Sequence, residues 1–477
     1  MSSARLRARR SSYRLSTSLR PTPLAFAIVA VGVVCVLAVT LAVGRVALFI
    51  NGVSTKGIGA ITSVVGGPKP GSMAWKLAHG QDVNLLLMGD GGAENDSPLL
   101  TDTIIAISLD GATHHAAMIS IPRDIWVNYD AWPSAGPRPA YSGKINEGFE
   151  IGSQDAGGTK LPAYTGPDGG GHLAEHTVSA VTGLAFDGYI TVDFKAFRDV
   201  VDAIGGVNVC LDGPLDDEQY PNYADGYVPG GIHFKAGCQN VNGEQSLELA
   251  RSRHADQPDQ ASDFGRAKRQ QLILSAVKKK ITSPQTVISL FSMLGSLQDD
   301  VKTDLDLASV LAIRDWGQSL PDSNILRVGL TNGDLLADQG QGATCGPVYS
   351  LCPQDSTFAM VRWYLQMVPA APAAAPEKAS IQVGVGTYNI SDLPDRLTTA
   401  LSTLGFQVQS QGHQPVQATT TIADYSGGHY PKTSAWLSKF FGVPVTPAAS
   451  PTPAGQVENG LVVTVGRDFA LRWYGLA

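Results

Sequence analysis

The chain has 477 residues, 43% of them hydrophobic and 16% charged, with a formal net charge of −7. That length exceeds one ordinary domain, and the apolar content is enough for real cores, which excludes wholesale disorder. The charge is uneven: Arg5, Arg7, Arg9, Arg10, Arg14 and Arg20 stand in a leading segment without a single acid. So short a basic segment has no core with which to present a reading helix, and no nucleic-acid partner is expected.

Residues 24–44 follow as an uncharged apolar run. As a helix it spans roughly 31 Å, close to the hydrocarbon thickness of a bilayer, whereas the apolar core of a secretory signal has only about 7–15 residues. The run therefore reads as a retained transmembrane helix. The arginines before it keep residues 1–23 in the cytoplasm as a basic tail. The expectation is a single-pass protein of the cell membrane whose large remainder is extracytoplasmic. The cysteines agree with that placement. Cys35 lies in the apolar run, and Cys210, Cys238, Cys345 and Cys352 lie beyond it. Four cysteines in an oxidising compartment suit two disulfides in one of three pairings, and local closure favours Cys210–Cys238 and Cys345–Cys352.

Residues 45–80 read as a Gly-rich juxtamembrane stalk. The apolar run at 83–88 predicts a buried strand that stops at Gly89-Asp90-Gly91-Gly92. Strands are predicted at 103–109 and 116–121, the latter ended by Pro122, with Asp110-Gly111 marking a tight hairpin between them. Next come a helix at 176–184, a strand at 188–192, a helix at 194–204 and a strand at 207–209. In the second helix Phe194, Phe197, Val200, Val201 and Ile204 form one face, ended by Gly205-Gly206. Interleaved helices and strands imply a layered α/β domain over residues 81–368. The Pro/Ala-rich stretch at 369–380 reads as a semi-stiff linker. A small C-terminal α/β unit, 381–477, carries strands at 381–385 and 461–465 and a helix at 393–404.

Acids and arginines at strand ends carry the chemistry. Asp90 closes the first strand and Asp102 opens the second. If the strands are neighbours, the two carboxylates suit Mg²⁺ shared with substrate phosphates; the same pair also reads as two solvated loop acids. Pro122 aims Arg123 from the end of the third strand. In an extended Arg251-Ser252-Arg253-His254, Arg251 and Arg253 share a face, which suits a bridging anion. Ser262 or Asp263 caps a helix on which Arg266 and Gln270 are i,i+4 neighbours at the positive end of the dipole. Forked guanidinium groups fit phosphate oxygens, so the set points to a pyrophosphate pocket. A solvated basic helix, such as Lys278-Lys279-Lys280 forms farther on, is the plainer alternative.

The strings NLLLMGD (84–90), TDTIIAISLD (101–110), SIPRD (120–124), KINEGF (144–149), DGYITVDFKAFRDVVDAIGGVNV (187–209), NGEQSLELARSRH (242–254) and SDFGRAKRQQ (262–271) resemble, in order, the LytR–CpsA–Psr family of envelope proteins. The tail from 381, with GRDF at 466–469, is similar to the smaller domain often attached in that family. The resemblance implies a layered α-β-α domain with a central mixed sheet. It also implies a phosphotransferase that moves a glycopolymer from a polyprenyl-pyrophosphate carrier to peptidoglycan, with pyrophosphatase side activity. By that resemblance Asp90 and Asp102 bind Mg²⁺. Arg123, Arg251, Arg253, Arg266 and Gln270 hold the pyrophosphate, and Asp263 supports the arginines. Asp102, Arg123, Arg253 and Arg266 form the catalytic set, and the lipid tail lies between sheet and helices. One position departs: the family's Arg before Thr-Asp-Thr is Leu100 here, so a lipid binder without turnover is the competing expectation. A transcriptional regulator is not expected, because the cytoplasmic tail is too short for a domain.

Overall fold

The computed structural model describes residues 68–133, 141–154, 160–222, 226–258, 260–281, 300–330, 335–338, 345–353, 357–369, 371–387, 393–448 and 455–469. The expected cytoplasmic tail, the membrane helix at 24–44 and most of the stalk lie outside these residues. Among the described residues no helix is long and apolar enough to cross a membrane.

In chain order the first part holds α1 (Met73–Ala78), β1 (Val83–Asp90), β2 (Thr101–Asp110), β3 (His115–Ser120), β4 (Trp126–Tyr129), β5 (Tyr141–Lys144), α2 (Gly148–Ser153), α3 (Gly169–Thr182), β6 (Gly188–Asp193), α4 (Phe194–Ala203) and β7 (Val207–Leu211). Then come β8 (Leu215–Asp217), β9 (Ile232–Phe234), β10 (Gly237–Val241), α5 (Gly243–Arg251), α6 (Asp263–Ile281), β11 (Val301–Thr303), α7 (Leu307–Gln318), β12 (Ile325–Gly329), β13 (Leu336–Ala337), β14 (Cys352–Pro353) and α8 (Ala359–Met367). The C-terminal part holds α9 (Ala371–Ala374), β15 (Ser380–Val385), α10 (Leu393–Thr403), β16 (Gln407–His413), β17 (Thr421–Asp424), α11 (Pro431–Phe441), β18 (Val445–Pro447) and β19 (Leu461–Val465).

Six strands form the central sheet in the order β11-β6-β1-β2-β3-β12. It is mixed: β1–β6 and β3–β12 are parallel, while β1–β2, β2–β3 and β6–β11 are antiparallel. The middle strands read as near-continuous apolar runs because both faces are covered. Leu86, Met88, Ile104 and Ala106 face a core completed by Leu173, Val178, Val361 and Leu365 of α3 and α8. Leu85, Ile105, Leu109 and Met118 face the opposite core, against Val310, Ile313 and Trp316 of α7 and Leu274 of α6. The expected layered α-β-α arrangement is therefore observed.

Three expectations need correction. The β2–β3 turn is not a two-residue hairpin, since Asp110 pairs with His115 across a four-residue loop. The Asp110 carboxylate accepts from the N–H groups of Ala112 (3.0 Å) and Thr113 (2.9 Å), so the aspartate organises a wider turn. The helix expected at 176–184 begins at Gly169. The triple glycine reads as a breaker, yet a side chain at Gly171 would meet the Tyr189 ring at 2.1 Å, so close helix–strand approach requires glycine there. The Pro/Ala stretch is not a spacer. Ala371 and Ala374 of α9 are buried, and Ala374 O accepts from Thr433 Oγ1 at 3.2 Å. Short alanine side chains let α9 pack directly on α11.

The C-terminal sheet runs β16-β15-β19-β17-β18. It joins the first core through aromatic contacts: Trp363 of α8 meets Phe440 at 4.5 Å and Phe469 at 5.4 Å, and Trp436 Nε1 donates to Met367 O at 3.1 Å. In GRDF, Asp468 accepts from Thr420 N and Oγ1, both at 2.8 Å, which explains that string structurally. The disulfides are Cys210–Cys238, across paired residues of β7 and β10, and Cys345–Cys352.

Candidate functional site

The site is built at one end of β1, β2 and β3. β1 pairs with β2 in regular register from Val83↔Leu109 to Gly89↔Thr103, then slips so that Asp90 stands opposite Thr101. Such a bulge re-aims the side chains that follow it. Asp90 Oδ2 accepts from Thr191 Oγ1 of β6 at 3.0 Å and Oδ1 accepts from Gly92 N at 3.0 Å. Asp193 of β6 is its parallel register partner, and Asp193 also caps α4 by accepting from Ala196 N at 2.7 Å.

Asp90 is only 5% exposed. Burial, reinforced by the neighbouring Asp193 charge, pushes its carboxyl from 3.8 up to about 6. Well below pH 3.8 the group is protonated whether the chain is folded or not, and nothing is lost. As pH rises from about 4 to 6 the folded state resists ionisation, so stability falls and stays lower above 6. The shift corresponds to at most about 3 kcal/mol. Asp90→Asn is therefore expected to raise the melting temperature at pH 8 in chelator, with a much smaller gain at pH 4. Thermal unfolding at the two pH values checks this, and an equal shift at both would refute it.

Asp102 turns the other way. Its Oδ1 accepts from Arg123 Nη1 at 2.7 Å and from Asn146 Nδ2 at 3.3 Å. Arg123 also reaches buried Asp124, Nε to Oδ2, at 3.5 Å, and Asp124 in turn binds Lys144 Nζ at 2.5 Å. The chain leaves β3 at Pro122 and is tied down at Ile125, whose carbonyl accepts from Ile145 N at 2.7 Å. The SIPRD and KINEGF strings thus meet in one network. Asp124, Lys144 and Asn146 were not singled out from sequence, because their partners lie some twenty to forty-four positions away. Thr191 and Asp193 were missed for the same reason.

The third element is α6. Its cap is Ser262, whose Oγ accepts from Gly265 N at 3.0 Å; the side chain of Asp263 lies outside the described residues. Arg266 Nη2 donates to Asp102 O at 3.4 Å, which brings α6 to β2. Gln270 Nε2 donates to Thr103 Oγ1 at 2.8 Å and to Ala250 O at 3.1 Å, so its amide links β2 to the end of α5. Buried Arg269, which the pattern did not flag, donates to Leu249 O at 2.8 Å, to Gln260 Oε1 at 2.9 Å and to Ser252 O.

Arg251 and Arg253 do not lie in one extended segment. Arg251 ends α5, and Ser252 is its C-cap. The Arg251 guanidinium stacks 4.5 Å from the Phe194 ring centroid, beside Asp193, and 5.5 Å from that of Tyr220. The turn that follows is fixed by buried Asp217, which accepts from Ser252 Oγ at 2.7 Å and from the N–H groups of Arg253 and His254. A helix end followed by a carboxylate nest explains the departure from period-two geometry.

These parts border a small open cleft. Asp102, Arg266 and Gln270 form its polar rim, and Ile104, Ile121 and Leu330 are among its apolar lining. A charged rim beside an apolar floor suits an anionic group set against apolar surface. Asp90 and Asp102 sit at adjacent strand ends but serve different partners. Among the described residues no group of three or more His, Cys, Asp or Glu is placed to hold a metal. Mg²⁺ is commonly held by one or two carboxylates plus substrate phosphates, so that fits Mg²⁺ only as a shared ion. Asp90, buried beside Asp193, is a carboxyl whose charge an added cation would relieve.

Residues 65–341 match the family described as LytR_cpsA_psr. A polyisoprenyl-teichoic acid–peptidoglycan teichoic acid transferase TagU from Oceanobacillus iheyensis is 32% identical over 225 residues, 47% of this chain and 59% of that protein. The corresponding TagV from Bacillus subtilis is 28% identical over 235 residues, 49% of this chain and 52% of its own length. The chain thus spans little more than half the length of these curated relatives. Among solved structures, that of B. subtilis TagV aligns over 60% of this chain and 96% of its own, at 25% identity and a TM-score of 0.42. One titled "TagT bound to LIIa-WTA" aligns over 60% and 89%, at 22% identity and a TM-score of 0.41.

Proposed function

The chain belongs to the LytR–CpsA–Psr family, and from that premise we propose that it is a phosphotransferase moving a glycopolymer from a polyprenyl-pyrophosphate carrier to peptidoglycan. The observation that carries this reading is the convergence of Arg123, Arg266 and Gln270 on Asp102 and β2 beside an apolar-floored cleft. In the reaction an acceptor hydroxyl attacks the sugar-proximal phosphorus. The bond to the lipid phosphate breaks, and a phosphodiester is left. Transfer of this kind gains mainly from positioning and charge neutralisation. Arg123 and Arg266 offer forked donors to the diphosphate oxygens, with Arg251 and Arg253 at the C-terminal end of α5. Water in place of the acceptor gives a pyrophosphatase side reaction.

Asp90 and Asp102 would hold Mg²⁺, which supplies positive charge to the diphosphate when bound. Asp90 already has the property such an ion relieves, a buried carboxyl whose charge is disfavoured. Mg²⁺ is expected to raise the melting temperature of the wild type at pH 8 and to leave that of Asp90→Asn nearly unchanged. Equal stabilisation of both would remove Asp90 from the ion's site.

The apolar run at 24–44 supports a membrane anchor that keeps this site beside a carrier lipid. Leu100, in place of the family's Arg, favours a second reading, a binder of polyprenyl-phosphate lipids without turnover. Incubating the full-length chain with a lipid-pyrophosphate glycan and Mg²⁺ separates the two. Release of lipid phosphate supports transfer; its absence, with binding retained, supports the binder.

A further inference from the structure

The segment bearing Arg123 leaves β3 and lies under a second loop from far along the chain. Leu351 N donates to Asp124 O at 2.8 Å, and Trp126 N donates to Leu351 O at 2.9 Å. These two bonds make a lone parallel bridge between Ile125 and Leu351. Ile125, Ser350 and Leu351 are all buried. The loop is closed by Cys345 and Cys352, seven positions apart, and Cys352 continues into β14, which pairs with core-buried Leu336 of β13. Its other end is in close contact as well: a side-chain carbon at Gly346 would come within 2.6 Å of the Trp126 ring. Besides this loop, the segment is held from the β5 side, where Trp126 pairs with Lys144 and Ile145 N donates to Ile125 O.

We propose that the Cys345–Cys352 disulfide is a positioning device for the diphosphate site. It holds the Gly346–Leu351 loop against Asp124–Trp126 and so fixes where the Arg123 guanidinium stands. A short bridged loop has few conformations open to it. Loops that carry functional groups otherwise come from the least stable part of a fold. Displacement of a reacting group by about 1 Å can cost up to about a hundredfold in rate. The bridge therefore limits the motion of Arg123 without touching substrate. This inference rests on the phosphotransferase reading of Arg123.

The test uses the full-length chain with geranylgeranyl diphosphate and Mg²⁺ as the binding probe, and hydrogen exchange as the structural readout. Replacing both Cys345 and Cys352 with alanine is expected to speed exchange in peptides covering 124–126 and 350–352. It should also weaken diphosphate binding about tenfold, part of the positional penalty above. Gly346→Ala keeps the disulfide and pushes the loop off Trp126, and the same two changes are expected from it. In an Arg123→Ala background neither variant should weaken binding further. Unchanged exchange in both variants overturns the clamp. Faster exchange with binding unaffected, or weakened equally with and without Arg123, overturns the positioning role. An Arg123→Ala variant that binds like the wild type overturns the reading of the site instead, and exchange then judges the clamp alone.

Discussion

Arg123→Ala is expected to lower turnover of a polyprenyl-diphosphate-linked glycan by about two to three orders of magnitude, the usual loss when one preorganised donor to a developing charge is removed. Arg123 bridges two carboxylates, Asp102 at 2.7 Å and Asp124 at 3.5 Å, so its fork is aimed before any ligand arrives. The pair with Asp102 is partly exposed, and such pairs add little to stability. Activity and stability should therefore separate: a large loss in kcat/KM with a melting temperature close to that of the wild type. Arg123→Lys should recover little, because a point charge cannot serve both acids and a phosphate in one plane. A variant whose activity loss simply follows its loss of folded protein would refute this role.

Most of the fold was legible because its signals are local. β1, β2 and β3 are apolar runs with both faces buried, and α4 carries one apolar face ended by glycines. All of these lie within a few residues of their expected bounds. The errors fall where local rules and tertiary contacts disagree. Glycines 169–171 obey close neighbours (Gly152 and Tyr164, Ser153 and Phe149, and the Tyr189 ring) and not helix propensity, and Ala371 and Ala374 obey the packing of α11. The site divides in the same way. Residue type and spacing singled out Asp102, Arg123, Arg266 and Gln270, which the fold brings together, since the forked cations sit at strand or helix ends. They could not show that Asp90 looks to Thr191 while Asp102 looks to Arg123, because that goes with a one-residue bulge in which Asp102 is the extra residue of β2. Nor could they find Asp124, Lys144 and Asn146, which matter only through partners distant in sequence.

Arg269 was illegible for the opposite reason: beside Arg266 and Lys268 it looks like one more solvated cation. Folded, it is 2% exposed and encircled by acceptors. Leu249 O belongs to α5, Ser252 O is at its C-cap, and Gln260 lies in the loop leading to α6. One guanidinium thus fixes the turn that carries Arg251 and Arg253 relative to the helix that carries Arg266 and Gln270. Replacing it with alanine leaves several buried carbonyls without a donor and opens a void. A loss of about 3–5 kcal/mol in unfolding free energy is expected, comparable to breaking a buried ionic network. Arg269→Met fills the void but still strands the carbonyls, so it should recover only a minority of that loss. Arg269→Lys offers one compact donor group to acceptors on two sides and should fall between them. Urea unfolding of the three variants checks the order. If alanine and methionine were equally close to the wild type, Arg269 would not be the tie between α5 and α6, and the arginine cluster would have to be held by the Asp217 nest alone.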